Sequence, residues 1–175
     1  MTSPLHRSGT DRVHEVSQSI TAEVFVNIQG DEPLVRREHL EALLALMARS
    51  SIQVGTLKTP CSPEDRDNPN AVKVVTALDG RALYFSRATI PFDRDASGQA
   101  RHYKHLGFYA YRKSALDGFV AWPESQLEHC ERLEQLRFLD NGVDIYVAET
   151  PFDTVGVDTE EDLQRVEKIL KETSL

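Results

Sequence analysis

Apolar and polar residues follow one another along the chain in blocks that predict strands and helices in turn. A short apolar run over residues 23–30 ends in a glycine, which is typical of a buried strand followed by a turn. Apolar residues then recur at i, i+3, i+4 and i+7 from Leu40 to Met47, which predicts an amphipathic helix over Arg37 to Arg49. A strand, a loop and a helix in this order are the opening of an α/β unit.

The rest of the pattern continues the alternation. Asp79-Gly80 lies between two apolar runs and predicts a hairpin, Asn141-Gly142 predicts a helix end, and Pro60 to Asn70 reads as a loop. Further strands are expected over Ile52–Lys58, Val72–Ala77, Arg81–Ser86, His105–Tyr111 and Ile145–Ala148, and further helices over Lys113–Val120, Gln126–Leu139 and Thr159–Lys171. We therefore expect one α/β domain over residues 1–175, with a mixed, mostly parallel sheet flanked by helices.

Composition narrows the class of partner and the compartment. The 28 acidic and 20 basic residues give a net charge of −8, which disfavours general binding to nucleic acid or anionic membranes. No run approaches the roughly 20 apolar residues of a membrane helix, and the first residues do not resemble a signal peptide. Two cysteines exclude a disulfide scaffold or a cysteine-rich zinc site. A cytoplasmic protein is expected.

Two carboxylates, Asp31 and Glu32, come directly after the first predicted strand. Ligands of open α/β sheets bind at the carboxyl ends of strands, and Mg²⁺ prefers one or two carboxylates together with phosphate oxygens. The pair is therefore a candidate magnesium site. The alternative is that both side chains are solvated residues of the turn before the helix.

A second acidic cluster begins at Asp153 and continues from Asp158 to Asp162, after the last predicted strand. The spacing of Asp158 and Glu161 matches a capping box, and acidic residues in a first helical turn favour the helix dipole. From the pattern alone, Asp158 is better explained as a helix cap than as a metal ligand.

Glu134 is the sharpest anomaly, because helical spacing over 126–139 places this carboxylate on the apolar side. Either it forms an ion pair with Arg137, or it binds a polyhydroxylated ligand together with Gln135. His105 and Tyr109 share one face of a strand and suit the same ligand, although plain aromatic packing explains them as well.

Two further sites carry positive charge near predicted strand ends or turns. Arg87 follows a strand and could face an acidic ligand, or it could be a surface charge. The segment from Ser8 through Gly9 to Arg12 reads as a small-residue turn compatible with nucleotide contact, but it lacks the lysine and the spacing of a P-loop.

Taken in order, several strings of the chain resemble one family closely. The strings are Ser8-Gly9-Thr10-Asp11-Arg12, Val26-Asn27-Ile28-Gln29-Gly30-Asp31-Glu32-Pro33, Asn68-Pro69-Asn70-Ala71-Val72-Lys73-Val74-Val75, Ala82-Leu83-Tyr84-Phe85-Ser86-Arg87-Ala88-Thr89-Ile90-Pro91, His105-Leu106-Gly107, Ser125-Gln126-Leu127-Glu128, Leu133-Glu134-Gln135-Leu136-Arg137 and Gly156-Val157-Asp158-Thr159. Together they resemble the 3-deoxy-manno-octulosonate cytidylyltransferases, or CMP-Kdo synthetases. The family implies a nucleotide-diphospho-sugar transferase (GT-A-like) fold and transfer of CMP from CTP to the sugar acid Kdo, with release of pyrophosphate, for lipopolysaccharide assembly.

The resemblance also implies roles for single residues. It makes Asp31 and Asp158 the pair that binds Mg²⁺, which replaces the capping interpretation of Asp158, and with Arg87 these form the expected catalytic group. The residues expected around the acid and hydroxyls of Kdo are Gln29, Arg87, His105, Tyr109, Glu134 and Gln135. The residues expected to hold cytidine are Ser8, Gly9 and Arg12.

Three further expectations follow from the resemblance. The family begins with a strand and a phosphate-binding loop that precede the position of Met1-Thr2, so a truncated chain is expected. Family members are homodimers, with residues 90–101 near the contact. The alternatives are a non-catalytic remnant or regulatory partner of a full-length subunit, or a cytidylyltransferase for another acidic sugar such as a sialic acid.

Overall fold

The computed structural model describes residues 1–6, 8–157 and 159–173, without the side chains of residues 162, 172 and 173. Within these ranges the strands are β1 (Phe25–Asn27), β2 (Val54–Pro60), β3 (Lys73–Thr76), β4 (Ala82–Ser86), β5 (Tyr103–Tyr111) and β6 (Ile145–Glu149). The helices are α1 (Gly9–Ser17), α2 (Arg37–Met47), α3 (Pro63–Asp67), α4 (Lys113–Ala121), α5 (Gln126–Glu131), α6 (Leu136–Asp140) and α7 (Glu160–Thr173). The α/β class predicted from the sequence is confirmed.

The strands form one sheet in the order β4-β3-β5-β2-β6, with β1 also paired to β5. In the described ranges β2 and β6 form the parallel pair, whereas β1, β2 and β3 run antiparallel to β5 and β4 runs antiparallel to β3. The sheet is mixed, as predicted, but the expectation that it is mostly parallel is wrong. The reason is that the long strand β5 runs opposite to its neighbours on both sides.

Apolar side chains pack on both faces of the sheet. On one face Leu43 and Met47 of α2 pack against Leu106 and Phe108 of β5. On the other face, the core contains aromatic and aliphatic residues from α4 and α6 together with Tyr109 and Tyr111. Successive residues of β5 therefore serve opposite cores, as the alternation of a strand requires.

The helix predicted over Gln126–Leu139 is two helices separated by a turn. Arg132 adopts a left-handed conformation with φ 55° and ends α5 after Glu131. The turn allows Arg137 of α6 to reach back to Glu128 of α5 with nitrogen to oxygen distances of 2.5 and 2.7 Å. Arg137 is therefore the partner of Glu128, and of the two explanations for Glu134 the ion pair with Arg137 is wrong.

The segment predicted as a turn at Ser8–Arg12 is the first turn of α1. Ser8 Oγ accepts a hydrogen bond from the Asp11 amide at 3.0 Å, which caps the helix. The apolar pattern missed this helix because α1 contributes little to the core, with Thr10 and Ser17 as its buried residues. No helix in the described ranges has both the length and the apolar character needed to span a membrane.

Candidate active site

A cavity of about 510 Å³ lies where the loop after β1, the middle of β5, the end of β4 and the turn between α5 and α6 meet. Nine residues that the resemblance assigns to the site line it: Ser8, Gly9, Gln29, Asp31, Arg87, His105, Tyr109, Glu134 and Gln135. These residues come from five separate segments of the chain, and the fold of β5 against its neighbours brings them together.

Asp31 lies exposed at the rim of the cavity, in the loop that follows β1. Its backbone carbonyl accepts a hydrogen bond from the Val157 amide at 2.8 Å. Asp158 lies outside the described residues, so its pairing with Asp31 stays a prediction. The backbone bond nevertheless ties the residue just before Asp158 to the Asp31 loop.

Glu32, next to Asp31, turns its carboxyl group inward, and its Oε2 is buried without a hydrogen-bond partner among the described residues. Burial raises the pKa of this carboxyl group, and the neighbouring charge of Asp31 adds to the effect. A Cβ atom at Gly107 would lie 3.2 Å from Gln29 Nε2 and 3.4 Å from Glu32 Oε1. The missing side chain at Gly107 is therefore what allows Gln29 and Glu32 to lie over β5.

The donor set at the rim fits a magnesium ion that also binds phosphate. No group of three or more His, Cys, Asp or Glu side chains in the described ranges is arranged to hold a metal by itself. Mg²⁺ does not require such a group, because one or two carboxylates suffice when phosphate oxygens and water complete its shell. The exposed Asp31 and the unpaired Oε2 of the adjacent Glu32 meet that requirement.

His105 and Tyr109 lie on the same face of β5, with ring centroids 5.3 Å apart. The pairing of β2 with β5 skips two residues between Leu106 and Tyr109, and such a bulge re-aims side chains next to a site. Burial lowers the pKa of His105 to about 3, so its ring is neutral near pH 7. Burial also raises the pKa of Tyr109 well above its ordinary value, and Tyr109 Oη has no hydrogen-bond partner in the described ranges.

Glu134 lies in the turn between α5 and α6 and faces the first turn of α1. Its Oε2 accepts a hydrogen bond from the Thr10 amide at 3.4 Å, where the positive end of the helix dipole favours a carboxylate. Burial raises the pKa of the Glu134 carboxyl group. A Cβ atom at Gly9 would lie 3.7 Å from Glu134 Oε1, so the two segments meet closely. The adjacent Gln135 is buried and also lines the cavity.

Arg87 follows β4 and lines the same cavity as Asp31. Its guanidinium donates to backbone carbonyls of three residues, Pro69, Glu131 and Arg132. No carboxylate of the described ranges forms an ion pair with it. Its positive charge is therefore available to an anionic ligand.

Arg12 does not line the cavity, because its guanidinium donates to Thr2 Oγ1 at 3.0 Å on the exposed side of α1.

Lys104, by contrast, lines the cavity and was missed from the sequence. Lys104 Nζ lies 2.9 Å from Asp153 Oδ1 and 3.3 Å from Asp65 Oδ2. The signal that could have found Lys104 in the sequence is a lysine within a strand that is rich in aromatic residues. Other lining residues missed from the sequence include Asn68, Asn70, Arg132 and Thr154.

Comparisons with known proteins agree with this geometry. A family model described as cytidylyltransferase matches residues 1–145. The 3-deoxy-manno-octulosonate cytidylyltransferase of Koribacter versatilis is 70% identical over 171 residues, which are 98% of this chain and 65% of the relative. The enzyme of the same name from Acidobacterium capsulatum is 63% identical over 94% of this chain and 67% of its own length. The chain thus spans about two thirds of the length of these relatives.

Solved structures give the same result. The structure of a CMP:2-keto-3-deoxy-manno-octonic acid synthetase complexed with CTP superposes with a TM-score of 0.92 at 40% identity, over 99% of this chain and 72% of that one. A putative glucose-1-phosphate thymidylyltransferase from Bacillus anthracis has a TM-score of 0.59 at 14% identity over 94% of this chain and 62% of that one, which shows a shared fold alone. The chain belongs to the cytidylyltransferase family, and within it to the 3-deoxy-manno-octulosonate cytidylyltransferases.

Proposed function

We propose that the protein transfers the cytidylyl group of CTP to 3-deoxy-manno-octulosonate (Kdo) and releases pyrophosphate. One observation carries the proposal: nine residues that the resemblance assigns to this chemistry line a single cavity. The names of the similar proteins support it, since they are Kdo cytidylyltransferases and the similar solved synthetase was complexed with CTP.

In the proposed reaction, the anomeric hydroxyl oxygen of Kdo attacks the α-phosphorus of CTP. The new bond joins this oxygen to phosphorus, the bond from phosphorus to the pyrophosphate oxygen breaks, and the hydroxyl proton is lost to solvent. Such a phosphoryl transfer depends mainly on positioning and on stabilisation of negative charge. The residues of the cavity supply the positioning.

The side of the cavity that carries Arg87, His105 and Glu134 suits the sugar acid. The Arg87 cation, held by neutral carbonyls, binds the Kdo carboxylate. The neutral His105 ring and the Tyr109 hydroxyl face the cavity without adding charge and bind sugar hydroxyls. Glu134 accepts hydrogen bonds from hydroxyl groups, and Gln135 and, from the loop after β1, Gln29 complete the polar lining around Kdo.

The loop after β1 and the start of α1 suit the nucleotide and its phosphates. Asp31, with Asp158 by resemblance, would hold Mg²⁺, and the ion would supply positive charge for the phosphate oxygens. Ser8 and Gly9, at the start of α1, lie beside Glu134 and contact the nucleotide. Arg12 takes no part in this proposal, because it lies away from the cavity.

We further infer a cytoplasmic homodimer that serves lipopolysaccharide assembly. The free cysteines Cys61 and Cys130 suit a reducing compartment.

Phe92, in the segment 90–101, is 83% exposed, and a large apolar side chain so exposed favours a covered surface between two copies. Sedimentation equilibrium tests this: Phe92→Ser is expected to shift the mass from dimer to monomer, and a monomeric parent protein would contradict it.

The activity is tested by pyrophosphate release from CTP, Kdo and Mg²⁺ together. We expect release that requires all three and is lost in Asp31→Ala. Kdo binding is measured separately by calorimetry without CTP. A folded chain that releases no pyrophosphate would contradict the proposed activity. A chain that releases no pyrophosphate but binds Kdo in calorimetry would still carry the sugar-acid site.

A further inference from the structure

Glu131, the last residue of α5, contacts Ser86 and Arg87 at the end of β4. Its Oε1 accepts a hydrogen bond from Ser86 Oγ at 2.6 Å, and its Oε2 accepts one from the Arg87 amide at 3.0 Å. Its backbone carbonyl accepts a third from Arg87 Nε at 2.7 Å. Glu131 thus holds Arg87 at the main chain and at the guanidinium, while Glu131 itself is absent from the cavity lining.

Neighbouring carbonyls hold the other end of the guanidinium. Arg87 Nη1 donates to Pro69 O at 3.0 Å, and Nη2 lies 3.5 Å from Arg132 O. A guanidinium has five N–H groups, so two of them stay available after these three contacts. The carboxylate oxygens of Glu131 are engaged by Ser86 and by the Arg87 amide, so they fix the position of the arginine without forming an ion pair with its head.

We infer that Glu131 is a positioning residue that sets Arg87 for the carboxylate of the sugar acid. The inference rests on the proposed function and adds a residue to its sugar-acid side. A long, flexible arginine loses rotamer entropy when it binds an anion, and restraint before binding removes that cost from the binding step. Glu131 supplies the restraint and leaves the positive charge for the ligand.

The test measures Kdo binding by calorimetry without CTP. Glu131→Ala is expected to weaken Kdo binding about tenfold, because it removes the two side-chain hydrogen bonds that hold Ser86 and the Arg87 amide, while the backbone carbonyl of residue 131 still accepts from Arg87 Nε. Glu131→Gln is expected to weaken it about threefold, since one amide oxygen can still accept from Ser86 or from the Arg87 amide. Glu124→Gln is the matched control: it removes an exposed carboxylate beside α5, and Kdo binding is expected to stay unchanged. Thermal unfolding of each variant checks that it is folded.

A double variant separates positioning from general structural support. If Glu131 acts through Arg87, Glu131→Ala adds nothing to the loss already caused by Arg87→Ala. Additive losses, or equal weakening of CTP and Kdo binding in Glu131→Ala, would overturn the inference. The two proposals fail differently. If both Glu131 variants bind Kdo as the parent protein does and pyrophosphate release depends on Kdo, the positioning role alone is overturned. If the parent protein binds Kdo and releases no pyrophosphate, the proposed activity alone is overturned.

Discussion

The two sides of the cavity differ in how their polar groups are satisfied. On the helical side, formed by β4, β5 and the turn between α5 and α6, Arg87 donates to carbonyls, His105 Nε2 lies 3.0 Å from Thr56 Oγ1, and Glu134 accepts from an amide of α1. On the loop side, formed by residues 29–32 and 154–157, Asp31 is exposed and Glu32 keeps a buried oxygen unpaired.

This contrast indicates that the two sides of the cavity contribute differently to ligand binding. On the helical side Arg87, His105 and Glu134 are held by the protein before a ligand arrives, whereas Tyr109 Oη is left without a partner in the described ranges. On the loop side Asp31 is exposed, and there we propose that a cation and a phosphate group complete the site. Substitutions on the helical side should therefore affect stability and sugar binding, and substitutions on the loop side should affect catalysis.

The largest expected effect is on the loop side. Asp31→Asn removes the negative charge proposed to bind Mg²⁺ and is expected to lower the rate of pyrophosphate release about a thousandfold. The thermal midpoint should not change, because the side chain is exposed. Asp140→Asn, at the exposed end of α6, is the control and should retain full activity. A rate within tenfold of the parent protein would remove Asp31 from the catalytic group.

The next effect is on the helical side and concerns stability. Glu128 and Arg137 form a two-point ion pair, with side chains 9% and 13% exposed. Glu128→Gln leaves the Arg137 charge without its partner and is expected to lower the free energy of unfolding by about 3 kcal/mol, measured by urea titration. Glu41→Gln, in the exposed pair with Arg37, should cause no measurable loss. Equal losses would mean that the α5–α6 turn does not depend on this pair.

A smaller effect is expected where the two sides meet. Gly107→Ala places a Cβ atom 3.2 Å from Gln29 Nε2 and 3.4 Å from Glu32 Oε1, so both loop-side side chains must shift. We expect the Michaelis constants for the substrates to rise about fivefold, since misplaced groups bind less well, with little change in stability. Gly30→Ala, which would meet no atom within 4 Å, is the control. Identical constants in both variants would contradict the close contact over β5.

The smallest effect is the response of His105 to pH near neutrality. Its pKa of about 3 lies below the ordinary value of 6.5 because burial disfavours the imidazolium. Between these values the unfolded chain binds more protons than the folded one, so His105 destabilises the fold as pH falls below 6.5 and has no effect above it. The His105 ring signals in NMR should not shift between pH 5 and 8. A midpoint near 6.5 would show that the ring is hydrated.

The sequence predicted the main elements because local patterns encode them, and the family resemblance pointed to nine of the residues that line the cavity. The stripe of α2 and the Asp79-Gly80 hairpin are local signals, and both elements form as expected, with Gly80 at φ 88°. The roles of the individual site residues stay predictions, although nine of them share one cavity. Lys104 was missed because its importance depends on Asp65 and Asp153, which are distant in sequence.

The sequence by itself determined the alternation of strands and helices, the acidic loop after β1 and the family, because periodicity, turn residues and motif strings are properties of neighbouring residues. Only the tertiary structure decided the strand directions, the break at Arg132, the position of Arg12 outside the cavity and the partner of Arg137. The strand directions depend on pairing between segments far apart in the chain, and the contacts of Arg12 and Arg137 join residues 10 and 9 positions apart, which helical periodicity does not reveal. The free energy of burial and hydrogen bonding across those segments outweighs local preference.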